Sequence, residues 1–184
     1  MQTLERNRGR MKQSEDEKSA IDTAAADLFN YAVDRQDTKI LMARLPKEGD
    51  AQRNTVEYEL QILKIITVGW SIAYHVEKTS ARNCLAERYW TAVQGLSGSV
   101  SSEAGLMAGR QIDYFQVLKD RLNMYVEAMN RNPHANEPAA VIGPEFARVC
   151  ADMDDVYTIM TGSRMFAAVV AGVRQYLDQS GLLS

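Results

Sequence analysis

Two histidines, His75 and His134, and two cysteines, Cys84 and Cys150, are the whole supply of imidazole and thiol in this chain. So few groups exclude most metal and general-base constellations by count. A cysteine-histidine nucleophile pair would need contacts that are distant in sequence. Di-metal helical bundles take a Glu-x-x-His from each of two helices, and that motif does not occur here. Asp152, Asp154 and Asp155 form an acidic cluster without the glycine or the spacing of a calcium loop. It reads as a solvated acidic face, with weak binding of a divalent cation or a basic partner as the alternative.

Glu59 and Glu77 are the more informative carboxylates. On a helix both project toward the side of Leu63, Ile66 and Trp70, which makes them candidate buried carboxylates. Eighteen residues at 1.5 Å rise separate them by about 27 Å, so they cannot serve one substrate as an acid and base pair. Solvent access near a helix end, or an arginine partner, is the expected explanation for each. Thr161-Gly162-Ser163-Arg164 resembles a small anion cradle, with Ser163 at a helix N-terminus and the Arg164 cation close by. Ser as an N-cap after Gly accounts for the same residues without a ligand. Gln111 fits a hydrogen bond to a tyrosine hydroxyl. No catalytic residue, metal ligand or cofactor is assigned.

The elements that must position these groups are helical. Val56 to Lys78 is apolar around nearly its whole circumference, with Glu57, Gln61, Lys64, Ser71, His75 and Lys78 on one narrow polar strip. Such a helix must be covered on two or three sides, so it is the expected centre of the domain. Residues 1–13 are polar and without periodicity, and read as a disordered or frayed arm; 14–184 reads as the helical-bundle domain. Helix one is expected over 14–44, with Ile21, Ala25, Leu28 and Ala32, then Ile40, Leu41 and Leu45, facing inward and a kink or break at 34–38. The central helix opens at Asn54, where Glu57 completes a capping-box variant, and ends at Thr79–Ser80 or continues into the next helix.

Helix three, to Leu96, presents Leu85, Tyr89, Ala92 and Leu96. Gly95 to Ser102 reads as a linker. Helix four, about 102–130, presents Met107, Tyr114, Leu118, Leu122, Tyr125 and Met129. After an irregular stretch holding Pro133 and Pro138, helix five is expected to start at Pro144 and to bury Phe146, Val149, Met153, Val156, Tyr157 and Met160. Gly162 and Ser163 break the chain into helix six, lined by Phe166, Val169, Val170, Val173 and Leu177. The expectation is an all-α, single-domain antiparallel bundle of five or six helices.

Composition narrows the function classes. A net charge of −3, from 21 basic and 24 acidic residues, argues against nucleic-acid binding through bulk positive charge. The basic start of the chain is followed by no apolar run, and the central helix holds only ten uncharged residues in a row, so a cytoplasmic protein with no membrane span is expected. Free, buried thiols suit that compartment. Two faces exceed what a minimal bundle needs. Gly105, Gly109, Ile112 and Gln116 lie opposite the Leu118 stripe, and Ala168, Ala171 and Gly172 lie opposite Phe166. These small faces either pack inside the monomer or form a subunit or partner interface.

Trp90, amid Asn83, Glu87 and Gln94, is covered by the arm or the proline-containing loop, or is an interface anchor. The leading expectation is a non-catalytic helical bundle acting through protein contact, as an adaptor, assembly factor or oligomeric scaffold, with a protein partner or a homo-oligomer. The alternative is a bundle that takes a small apolar ligand among Trp70, Tyr74, Met107, Tyr114, Tyr125, Met153 and Met160. An enzyme of unidentified class comes third.

Overall fold

The structure, a computed structural model, describes the backbone of residues 2–46, 50–108 and 113–183 and the side chains of 18–46, 52–101 and 113–183. Among these residues every regular element is an α-helix: α1 (Gln2–Val33), α2 (Gln36–Met42), α3 (Asp50–His75), α4 (Ser80–Ala108), α5 (Tyr114–Arg131), α6 (Pro138–Val149) and α7 (Val156–Gln179). The fold is an all-α bundle. The first expected helix is present as α1 and α2, broken at Asp34–Arg35 within the stretch where its apolar stripe lapses, and it starts at Gln2 rather than Ser14. The central helix and its successor are separate, with the chain turning at 76–79.

α3 is the core, packed against α1, α2, α4, α5 and α7. Leu60, Ile62, Leu63, Ile65, Ile66, Val68 and Ile72 are all buried. The middle of its polar strip is buried too, which the helical wheel does not disclose. Lys64 and Ser71 are fully enclosed and Gln61 is half-buried. The cause lies in the break between α1 and α2, because the last carbonyls of a helix have no partner within it. Gln61 Nε2 donates to Ala32 O at 2.7 Å, and Lys64 Nζ donates to Asp34 O at 2.9 Å. Lys64 also pairs with Asp37 at 2.8 Å and lies 4.3 Å from the centre of the Tyr31 ring. The strip thus caps α1 and pins the start of α2.

Three boundaries differ from the sequence reading, each for a local reason. α3 begins at Asp50, ahead of Asn54, and Arg53 ties its first turn to the preceding loop by donating to Met42 O at 3.0 Å and Pro46 O at 2.8 Å. The expected linker at Gly95–Ser102 is helical, inside α4. Gly95 and Gly98 each cost about 1 kcal/mol relative to Ala. The apolar stripe nevertheless continues through them, with Val93 buried and Leu96 and Val100 half-buried, and Ser97 donates to Val93 O at 2.8 Å. α4 reaches Ala108, and Asp113 caps α5 by accepting from the Gln116 amide at 3.0 Å.

The third difference moves a helix end. α6 starts at Pro138, contains Pro144, and stops at Val149; α7 runs unbroken through Gly162 and Ser163. Gly162 sits against the Phe146 ring, where a Cβ would lie 2.6 Å from the nearest ring atom, so this glycine permits close packing and does not break the helix. The turn at 150–155 closes with Ala151 at φ 58°, the Ala151 amide donating to Arg148 O and the Asp152 amide to Ala147 O. That is a Schellman ending with alanine in the place usually taken by glycine. Asp155 then caps α7, accepting from the amides of Tyr157 and Thr158 and from the Thr158 hydroxyl.

Candidate functional site

α7 is the element whose sequence and surroundings disagree. It is apolar around most of its circumference, yet only 39% of its most apolar eighteen residues are buried. Thr158, Thr161, Met165, Val169, Val173 and Leu177 face inward, packed mainly on α6 and α3. Val156, Tyr157, Met160, Arg164, Ala167, Ala168 and Ala171 face outward. Together they form an arc of about 120°. Met153, at the tip of the preceding turn, is 63% exposed, Val156 61% and Tyr157 58%. The expected burial of Met153, Val156, Tyr157 and Met160 on a fifth helix is thus overturned. The turn at 150–155 resets the helical phase and places them outside.

The alanine half of this face borders a groove of about 760 Å³ between α3, the start of α6 and α7. Its walls are Trp70, Tyr74, Phe166 and Val170, with Arg174 and Asp178 at the rim. Trp70 and Tyr74 stack at 4.8 Å between centroids, and Phe166 lies 5.5 Å from Trp70. Tyr74 stands 69% exposed. His75 lines the same groove; burial first, and the Arg174 charge second, hold its pKa below the usual imidazole value. Its Nε2 is enclosed and has no hydrogen-bond partner among the described residues.

The candidate carboxylates separate. Glu59 is 4% exposed and held by both arms of Arg121, with Nε at 2.9 Å and an Nη at 2.8 Å. This is the arginine partner that chemistry demands for a carboxylate out of water. Burial raises the pKa of Tyr125 and pushes the Cys150 thiol up to about 12, with the nearby Glu59 charge adding to both. A thiol held protonated in this way is a packing group rather than a nucleophile. Glu77 lies beyond the end of α3 and is exposed.

Ser163 and Arg164 lie in the middle of α7, whose N-terminus is at Val156, so the free amides of the expected anion cradle are not at this position. Ser163 donates to Ala139 O at 2.9 Å and Arg164 is exposed. The acidic cluster is a turn rather than a helix face: Asp155 caps α7, Asp152 accepts from Gln52, and Asp154 is exposed. Trp90 is half-buried against α3, and the side chains of the arm lie outside the described residues. Its indole lies over Gly69, which leaves it room on α3, and contacts the Tyr89 ring edge-on. A glycine in the middle of the central helix was the available signal for that packing. Gly109, Gln111 and Ile112 lie outside the described residues, as do the side-chain positions of Gly105 and Met107. Of the second small face, Ala168 and Ala171 are exposed, while Gly172 approaches the Tyr31 hydroxyl of α1.

Of the residues expected to enclose an apolar ligand, Trp70 and Tyr74 share the groove wall, and the other described ones do not join them. Tyr114 and Tyr125 are in the core, whereas Tyr74, Met153 and Met160 are on the surface. Between Leu63, Trp70, Tyr125 and Ile142 the interior leaves a space of only about 10 Å³, too small for any ligand. No family model matches the chain, and neither a curated protein nor a solved structure matches it.

Proposed function

We propose that this protein works by protein contact, and that the outward face of α7 with its adjoining groove is the contact surface. The observation that carries this reading is the mismatch on α7: four turns of exposed helix with Arg164 as their one charge. A helix apolar on all sides is normally covered on all sides, and contiguous exposed apolar surface marks an interaction site. Exposed aromatic and methionine side chains at one end, Tyr157 and Met160, are the residue types enriched at such interfaces. The enzyme reading has its candidate carboxylates engaged by Arg121 at Glu59 and exposed at Glu77, and the ligand-binding reading keeps Trp70 and Tyr74 in the open groove.

The test is a photo-crosslinking amino acid placed at position 157 in cells that make the chain, with a second placed at Asn130 as an exposed control on α5. The reading expects a protein adduct from position 157 and none from 130. Absence of any adduct from 157 overturns it.

A further inference from the structure

We infer that His75 is an acid-sensitive prop of the groove: on gaining a proton its ring leaves its enclosed position for the groove, and the Tyr74–Trp70 wall that it supports opens to water. The change belongs to the groove itself, so it does not depend on which surface a partner covers. His75 closes the last turn of α3 and lines the groove. Its ring stands at 89° to the Tyr74 ring, with centroids 5.0 Å apart. Tyr74 stacks on Trp70 at 4.8 Å, and Trp70 lies 5.5 Å from Phe166 of α7. Four rings from two helices are thus in series, with His75 at one end. Tyr74 is 69% exposed, so the rings on either side of it are much of what fixes its position.

A neutral imidazole carries hydrogen on one ring nitrogen, whereas an imidazolium carries it on both and needs an acceptor for each. His75 Nε2 is enclosed and has no acceptor among the described residues. A proton gained in place would leave a charged ring with a buried, unsatisfied donor, which is costlier than a neutral one. Arg174 of α7 lines the same groove, and its charge opposes a second cation at His75. The C-terminal end of α3 favours a cation, but Arg82 of α4 already donates to the Ala73 carbonyl there, at 3.4 Å. Glu77 and Lys78, next along the chain, are exposed.

The open groove offers the opposite environment. Glu137, at the N-cap of α6, and Asp178, one turn beyond Arg174 on α7, both line it and both are exposed. Neither takes part in an ion pair among the described residues. By moving outward a charged ring reaches water and two carboxylates, and by staying it meets a guanidinium. Its departure removes the ring beside Tyr74, and with it the support of the stack that covers Trp70.

The experiment is fluorine NMR of the full chain labelled with fluorotryptophan, in ordinary and in heavy water, from about pH 8 to about pH 5. The difference between the two solvents reports how far each indole meets water, and Trp90, packed over Gly69, is the internal reference. The His75 imidazole is followed in parallel by proton–carbon NMR, assigned with a His134→Gln chain. The inference expects the solvent isotope shift of Trp70 to grow through the same midpoint at which His75 titrates, below 6.5, while that of Trp90 holds. In His75→Gln the Trp70 value is expected to stay level across the range, and Glu137→Gln/Asp178→Asn is expected to move the midpoint of the parent to lower pH. A Trp70 value that stays level in the parent overturns the inference, as does one that grows equally in His75→Gln or grows through a midpoint other than that of His75. Growth at Trp70 and Trp90 together shows the whole fold loosening and overturns it too. None of these outcomes bears on whether position 157 captures a protein, so the contact reading stands or falls separately.

Discussion

Replacing Arg121 by Met isolates the charge pair that holds Glu59 inside the bundle. Glu59 has a side chain 5% exposed and Arg121 one 30% exposed, and two hydrogen bonds of 2.8 and 2.9 Å join them. Removing one partner of a buried pair strands the other, at about 3–5 kcal/mol. Arg121 is nearly a third exposed, so water already screens part of the interaction and the lower end, about 3 kcal/mol, is expected. With an m-value of about 2–3 kcal/mol/M, the urea midpoint falls by about 1–1.5 M. The measurement is urea unfolding at pH 7 followed by far-ultraviolet circular dichroism. Combining Arg121→Met with Glu59→Leu removes both charges, and the double variant is expected within about 1 kcal/mol of the parent. A single variant costing under about 1 kcal/mol, or a double variant costing the sum of both singles, would refute the reasoning.

Three further outcomes follow from local structure. Ala151, at φ 58°, occupies a position that suits glycine, and Ala151→Gly is expected to raise stability by about 1 kcal/mol in the same urea assay; a loss of stability would contradict the Schellman assignment. Asp155→Ala removes the cap of α7 and is expected to cost about 1 kcal/mol, with no cost meaning that the amides of Tyr157 and Thr158 find water equally well. His75 is held neutral, so the unfolded chain binds its proton more readily than the fold does. Its stability contribution is therefore level above pH 6.5 and declines as pH drops below that value. His75→Gln is expected to flatten the fall in urea midpoint between neutral and mildly acidic pH, and an unchanged slope would show that another group is responsible.

The all-α class and the central place of α3 were legible because a helix with so little polar surface has one available environment. What the wheel could not show is whether its polar strip met water or another helix. Lys64 and Gln61 answer to the free carbonyls of Ala32 and Asp34, and that partner lies some thirty positions away in sequence. Composition misled at Gly95–Ser102, where the apolar stripe outweighed the glycines, and at Gly162, where contact with Phe146 required a small residue within a helix. The site was missed for a related reason. Met153, Val156, Tyr157 and Met160 have helical spacing, and spacing alone does not distinguish an inner face from an outer one. The arginine partner of Glu59 was legible in kind, though not its identity as Arg121.

The contact role of α7 is tested most directly by hydroxyl-radical footprinting of the chain inside the cells that make it, against the same chain purified and diluted. Tyr58, 42% exposed on α3, serves as the reference. The account predicts that Tyr157 and Met160 react readily in the dilute chain and are protected in the cell, while Tyr58 reacts alike in both. Equal reactivity of Tyr157 and Met160 in the two samples would contradict it.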